Sequence, residues 1–214
     1  MGNTKEKTVG NTKAETASGA WEEQANGTDP RKARRTLMSV TLFLVVLTVF
    51  YAAFTFFARS WQVTVAGLGV AVGIALVAWL LSRRRPEQAV PSPAATRFVN
   101  ITSALEGIAI TVAYILGFFD LWWLFLPLVL TSVALHFISM LIAYRRAIDW
   151  FVAPVSLAAT ALAWSAGTTD FSNEWAIAGG MLSGCCAGYA LTLLSVARKI
   201  GAAAQSGDAA DVPA

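Results

Sequence analysis

Two ionisable side chains, Glu106 and His136, stand inside otherwise apolar stretches of this 214-residue chain. A charged carboxylate near the centre of a bilayer costs about 2.5–3.5 kcal/mol, so we expect an isolated Glu106 to stay protonated there unless it has a partner. Imidazole is such a partner, because it accepts a proton or pairs as a cation near neutral pH. The two residues predict a proton or cation relay, or the polar end of a ligand cavity. The alternative is that they only hold helices together.

Hydroxyl side chains lie beside both residues. Thr102 and Ser103 precede the carboxylate by one helical turn, and Ser132 and Ser139 flank the imidazole at minus four and plus three. These spacings place each group on one side of a helix. We therefore expect Ser103, Ser132 and Ser139 to belong to the same ligand or proton site. Hydroxyls that bond back to their own helix are the alternative.

The elements that must position these residues are long apolar runs. Hydrophobic residues make up 56% of the chain and charged residues 14%, against roughly 45–50% and 25% in soluble domains. Six runs are long enough to cross a bilayer, and in lipid such runs must be helical. The prediction is an all-α polytopic membrane protein, a bundle of six transmembrane helices. The spans are about 36–57, 62–81, 98–118, 121–143, 151–168 and 175–197.

The ends of the chain differ in composition from the predicted six-helix domain at 34–200. Residues 1–33 are polar and repeat the tetrapeptide Gly-Asn-Thr-Lys, and residues 201–214 are rich in small and polar residues. Such segments bury too little apolar surface to offset the entropy of the chain. We expect both to be disordered tails.

Nearly all basic residues near the predicted spans lie on one side of the membrane. Twelve flank one end of the spans, and only Arg59 lies at the other, where Asp120, Asp170 and Glu174 also lie. The twelve are Arg31, Lys32, Arg34, Arg35, Arg83, Arg84, Arg85, Arg97, Arg145, Arg146, Arg198 and Lys199. The positive-inside rule then places both termini in the cytoplasm. With the alanine-rich, arginine-rich composition, this predicts a bacterial plasma membrane protein.

The third and fourth spans form a tight hairpin, because only about two residues join them. In an antiparallel hairpin, residues at the same depth have numbers of constant sum. By this rule Glu106 and His136 lie within one helical turn of the same depth. The rotation of each helix is unknown, so whether they face each other stays open.

Glycines at four-residue spacing occur in two spans, Gly69 and Gly73 in the second and Gly180, Gly184 and Gly188 in the sixth. Small residues at this spacing allow helices to approach closely. They predict packing within the bundle, and homodimerisation or docking of a membrane partner is the alternative. The adjacent Cys185 and Cys186 are interpreted as small packing residues.

Several classes of function find no motif in the sequence. It contains no Walker loop, dinucleotide fingerprint or cysteine–histidine metal array, and one histidine excludes a multi-histidine metal site. We expect no metal, no cofactor and no nucleic-acid partner, since the basic residues flank apolar runs. The leading hypothesis is small-molecule or ion transport or binding. A non-catalytic accessory protein is second, and an enzyme acting on a lipid is third.

The segment from Ala134 to Ala143, Ala-Leu-His-Phe-Ile-Ser-Met-Leu-Ile-Ala, is followed by Tyr144 and Arg145. It resembles small bacterial multi-span integral membrane proteins of unassigned function, in which a helix with a Leu-His-Phe element ends in basic residues. The resemblance covers one hairpin. It implies a multi-span bacterial membrane protein and no particular activity.

Overall fold

The computed structural model describes residues 30–84, 93–169 and 172–210, and this part of the chain is helical without any strand. The helices are α1 (Pro30–Ala53), α2 (Trp61–Arg84), α3 (Pro93–Gly117), α4 (Phe125–Tyr144), α5 (Ala147–Ser165) and α6 (Asn173–Ala210). Short 3-10 turns at Phe54–Phe57 and Trp122–Leu124 extend α1 and precede α4.

All six helices are long and apolar enough to cross a membrane, which confirms the predicted fold class. The spanning segments are Leu37–Phe57, Trp61–Arg83, Arg97–Gly117, Trp122–Tyr144, Ala147–Ser165 and Asn173–Arg198. Large apolar side chains such as Leu42 and Val49 point away from the bundle, as lipid-facing residues do. The chain is a multi-pass membrane protein.

Several helix boundaries differ from the predicted spans, among them the start of α3, at Pro93 instead of 98. Helix α5 begins at Ala147 instead of 151, because the Asp149 carboxylate accepts the Arg146 backbone N–H and starts the helix early. The same helix ends at Ser165 instead of 168. Helix α1 begins at Pro30, a residue suited to the first helical position. Helix α6 continues through 201–210, where alanines favour helix. The rest of the predicted disordered tails, 1–29 and 211–214, lies outside the described residues.

Helix α6 is the centre of the bundle and packs against α1, α2 and α5. In the apolar 18-residue stretch of its spanning segment, 61% of the residues are buried, against 17% in the corresponding stretches of α1 and α3. Its glycines lie on α2: a Cβ at Gly184 would be 2.5 Å from the Ala71 carbonyl oxygen, and one at Gly188 would be 2.5 Å from the Ala78 Cβ. A Cβ at Gly180 would overlap the Gly67 carbonyl group. These three glycines pack within the bundle as predicted.

The other predicted glycine pair does not pack. Neither Gly69 nor Gly73 has an atom within 4 Å of an added Cβ in the described part of the chain. The residues of α2 that face α6 are Gly67, Ala71, Ala75 and Ala78, spaced four, four and three apart. A residue two positions further on points about 200° away, so Gly69 and Gly73 lie on the opposite, open face.

The other contacts between helices are distributed unevenly over the bundle. On α6, Ser183 Oγ donates a hydrogen bond to the Thr48 carbonyl oxygen of α1 at 3.0 Å. Helix α5 joins α4 through Thr160 Oγ1, which donates to the Leu130 carbonyl oxygen at 3.0 Å. Helix α3 packs against α4 and the turn before it, and it has no comparable contact with another described helix. Helix α3 is therefore attached to the bundle mainly through α4.

Candidate functional site

The carboxylate of Glu106 lies on the side of α3 that faces the bundle. Val99, Thr102, Ala113 and Gly117 are all buried on this side, at the three- and four-residue spacing of one helix face. Glu106 occupies the middle of the same row and is partly buried. The amphipathic pattern of α3 thus places an acid inside the bundle and away from the membrane ends.

A compact group of polar side chains joins α3 to α4 one turn from Glu106. We call Thr102, Ser103, His136 and Ser139 the hydroxyl cluster. Thr102 Oγ1 lies 2.7 Å from Ser139 Oγ and 3.4 Å from His136 Nδ1. Ser103 Oγ lies 3.2 Å from the same Nδ1. The depth predicted for the hairpin is therefore correct, because residues it places at nearly the same level are in contact.

The serines of the hydroxyl cluster also form hydrogen bonds with the backbone of their own helices. Ser139 Oγ donates to the His136 carbonyl oxygen at 2.7 Å, and Ser103 Oγ donates to the Val99 carbonyl oxygen at 3.0 Å. Ser103 has one hydroxyl proton for two acceptors, the Val99 carbonyl oxygen and His136 Nδ1, and the tautomer of the imidazole decides which of them receives it.

The predicted site residues do not form a single group of contacting side chains. Glu106 and His136 both lie in described helices, and no hydrogen bond or ion pair joins them. Ser132, the third predicted serine, is buried and donates back to the Val129 carbonyl oxygen at 2.8 Å. The hydroxyl cluster keeps His136, Ser103 and Ser139, while Glu106 is one turn away. Glu106 is on the same face of α3 as Thr102 but one turn further along the helix than the residues that contact His136.

The bundle interior also contains two buried side chains with polar atoms on other helices, Tyr51 on α1 and Cys186 on α6. Tyr51 has 0% and Cys186 has 1% of its surface exposed.

The hydroxyl of Tyr51 is buried without a hydrogen-bond partner among the described residues. Native proteins pair the great majority of their buried polar atoms, and an unpaired one costs about 1–3 kcal/mol. The backbone of Tyr51 is at the close approach of α1 and α6, where a Cβ at Gly179 would lie 2.8 Å from its carbonyl oxygen. Sequence reasoning missed Tyr51, since an aromatic residue in an apolar run has no local signal of an unpaired hydroxyl.

A second buried polar group lies at the start of α5, around Asp149. The Asp149 side chain is fully buried and accepts hydrogen bonds from Arg146 Nε at 2.9 Å and Nη2 at 3.0 Å. The Tyr189 hydroxyl of α6 also donates to it. The Arg146 guanidinium is 4.6 Å from the ring centre of Tyr144. This cluster ties the α4–α5 turn to α6.

The groups around Asp149 stabilise the charged form of the Arg146 guanidinium. Burial would lower the pKa of its guanidinium, but the hydrogen bond to Asp149 and the attraction of nearby anionic groups raise that pKa above its usual value. Asp149 went unnoticed in the sequence, although the Arg-x-x-Asp spacing before an apolar run resembles a capping box. Every oxygen of Asp149 is engaged, so this acid has a structural role.

The other end of the bundle, away from most arginines, has a polar cavity of about 230 Å³. Its walls come from the α1–α2 turn and from the residues on either side of the α5–α6 connection. Asn173 Oδ1 accepts the Arg59 backbone N–H at 3.0 Å across this cavity. The contact joins two external turns, and it does not involve the predicted site residues.

Groups of three or more metal-binding side chains do not occur among the described residues. Cys185 and Cys186 are free thiols buried in the hydrophobic core, as expected for packing residues. In comparisons with protein-family models, with curated proteins and with solved structures, the chain matches none of them.

Proposed function

We propose that this chain is a transport or binding protein for an ion or small molecule, with its site at the intramembrane residues Glu106 and His136. The site takes a cation or a proton at Glu106. The hydroxyl cluster holds the imidazole ring of His136 one turn away through contacts to its Nδ1.

The observation that supports this proposal is the state of the Glu106 carboxylate. It lies on the bundle-facing side of α3, and no described residue gives it a hydrogen bond or an ion pair. A carboxylate kept in that position has a cost of about 2.5–3.5 kcal/mol on insertion scales. Asp149, by contrast, has three donor groups around it. Intramembrane acids without a structural partner are typical of ion and substrate pathways.

The proposed location is a bacterial plasma membrane, with both termini in the cytoplasm. The described arginines at the ends of the spans support this orientation, because only Arg59 lies on the other side. The arginine-rich end would then face the cytoplasm, and the Arg59 cavity would face outward.

Thermal unfolding of the detergent-purified full chain tests the role of Glu106. We expect Glu106→Gln to raise the free energy of unfolding by about 1 kcal/mol or more, because the amide is cheaper to bury than the carboxylate. Glu174→Gln is the matched control, since Glu174 lies in the first turn of α6, on the wall of the polar cavity. This control should leave unfolding unchanged within about 0.5 kcal/mol.

The opposite result would contradict the proposal. If Glu106→Gln lowers the free energy of unfolding by about 1 kcal/mol, the carboxylate makes a structural bond that holds helices together. The site would then be structural, and transport or binding would have no residue to support it.

A non-catalytic accessory protein is the second candidate, and Gly69 and Gly73 favour it. Both are open on the outer face of α2, and small residues at this spacing suit close docking of another helix. Gentle solubilisation tests this candidate. A partner recovered in fixed proportion with the wild type but not with Gly73→Leu would support it, and a chain recovered alone would contradict it.

A further inference from the structure

The polar cavity at the end of the bundle away from most arginines has a cation and an anion on its wall. Its volume is about 230 Å³, and both Arg59 and Glu174 line it. The other polar residues on the wall are Ser165, Thr169, Ser172 and Asn173. A concave site with two opposite charges, three hydroxyls and an amide is suited to a small polar molecule that carries both charges.

Hydrogen bonds fix the walls of this cavity. The Arg59 backbone N–H donates to Asn173 Oδ1 at 3.0 Å and holds the α1–α2 turn against the start of α6. The Ser172 hydroxyl accepts the backbone N–H of Trp175 at 3.3 Å, and the Trp175 side chain is buried in the core. Two turns from distant parts of the sequence therefore have a defined position relative to each other.

The two charged groups on the wall do not pair with each other. No ion pair joins Arg59 to Glu174 in the described chain, where Arg146 and Asp149 do form one. Arg59 is exposed and Glu174 is partly buried. Since both groups line one cavity without an ion pair between them, a molecule in the cavity can contact each of them.

We infer that the polar cavity binds a small amino acid as its zwitterion, with the ligand carboxylate at Arg59 and the ligand ammonium group at Glu174. A guanidinium presents paired N–H donors that match the two oxygens of a carboxylate. The Glu174 carboxylate accepts the N–H groups of the ammonium. The inference goes beyond the proposed function and does not depend on it, because neither Glu106 nor His136 lines this cavity.

The charges of the wall favour a zwitterion over a simple ion. Glu174 repels an anion bound at Arg59, and Arg59 repels a cation bound at Glu174. A zwitterion pairs with both groups and adds no net charge. The volume sets the size of the ligand, because a molecule of water takes about 30 Å³ and the cavity therefore has room for about eight non-hydrogen atoms. The smallest amino acids meet this limit.

Thermal unfolding of the full chain in detergent, with glycine as the probe, tests this inference. Sodium acetate supplies the carboxylate alone, methylammonium chloride supplies the ammonium group alone, and sodium chloride controls for ionic strength. We expect a saturable rise in the unfolding midpoint with glycine and none with either single ion, because a ligand that binds only the folded state stabilises it.

Glycine also stabilises folded proteins without binding, since osmolytes are excluded from protein surfaces. That contribution increases steadily with concentration and is the same in every variant. Only the saturable part of the rise reports binding to the cavity.

Two variants each remove one charge from the wall. In Arg59→Gln and in Glu174→Gln the apparent dissociation constant for glycine should rise at least about tenfold, the loss expected for hydrogen bonds to a charged group. Both variants should unfold like the wild type without glycine, because no ion pair of the described chain involves either residue. Asp120→Asn is the matched control, an exposed acid that does not line the cavity, and it should keep the wild-type dissociation constant.

Three results would overturn the inference. The first is the absence of a saturable glycine effect on the wild type. The second is an equal saturable effect of acetate that Glu174→Gln retains, which would make the cavity an anion site. The third is an equal saturable effect of methylammonium that Arg59→Gln retains, which would make it a cation site.

Discussion

Asp149 and Glu106 are two acids in one apolar bundle, and their surroundings are opposite. Asp149 is fully buried, with Arg146 and Tyr189 bonded to its oxygens. Glu106 is only partly buried and has no bonded partner in the described chain. A buried acid that is fully hydrogen-bonded is typical of structure, and one that is not is typical of a site. The difference supports the proposed roles, a site for Glu106 and a structural one for Asp149.

Replacing Asp149 should therefore destabilise the protein. We expect Asp149→Asn to lower the free energy of unfolding by about 1–3 kcal/mol, because it weakens hydrogen bonds to a charged group and leaves Arg146 without its counter-ion. The guanidinium is partly exposed and can turn toward solvent, which keeps the loss below that of a fully buried pair. Denaturant or thermal unfolding measures this loss. Asp120→Asn, at an exposed turn, is the control, and equal losses would contradict the assignment.

At the scale of residues, the sequence predicted part of the site. Glu106 and His136 stand out because ionisable groups are rare in apolar runs, and the hairpin rule correctly predicted the depth at which α3 and α4 meet. Tyr51 and Asp149 were missed, since what distinguishes them is the environment supplied by helices far along the chain. Spacing within one helix carries no information on those contacts.

Helices α2 and α6 approach each other through small residues. The Cα and carbonyl groups of Gly67 and Ala71 lie where a Cβ on Gly180 or Gly184 would have to go. This contact replaces side-chain interdigitation, and it is why one face of α6 contains mainly glycine and alanine. The sequence predicted that Gly180, Gly184 and Gly188 pack, but it could not tell which face of α2 receives them.

A larger side chain on this face should separate the two helices. We expect Gly184→Val to lower the free energy of unfolding by about 1–3 kcal/mol or more, because a Cβ there meets the Ala71 backbone, which cannot move away. Gly73→Val should have little effect, since nothing lies near an added Cβ. Parallel thermal unfolding of both variants in detergent measures the contrast. Equal losses would show that the open face of α2 is also packed.

On the scale of the whole molecule, α6 holds together a bundle in which α3 is attached through α4. The span count and the all-helical class follow from apolar runs of bilayer length, and the structure confirms both for the described residues. The arrangement of helices does not follow from the runs: α1 and α2 are neighbours along the chain, yet each packs mainly against α6.

The proposed orientation predicts which turns are accessible from each side of the membrane. In a background in which alanine replaces Cys185 and Cys186, Arg145→Cys should react with an impermeant maleimide only in inside-out vesicles, because its turn lies at the arginine-rich end. Asp120→Cys, on the opposite turn, should react only in cells or right-side-out vesicles. The reverse pattern would contradict cytoplasmic termini, and labelling of both from one side would contradict the hairpin between them.

Chemical modification with dicyclohexylcarbodiimide, read by intact-protein mass spectrometry, tests the central claim about Glu106 most directly. This apolar reagent forms a stable N-acylurea with a protonated carboxyl group that it meets in an apolar environment. We predict one adduct on the wild type in membranes, at Glu106, and none on Glu106→Gln. Asp149 should stay unmodified because Arg146 and Tyr189 occupy its oxygens. An unmodified Glu106, or an adduct at Asp149 instead, would contradict an unpartnered acid in the interior of the bundle.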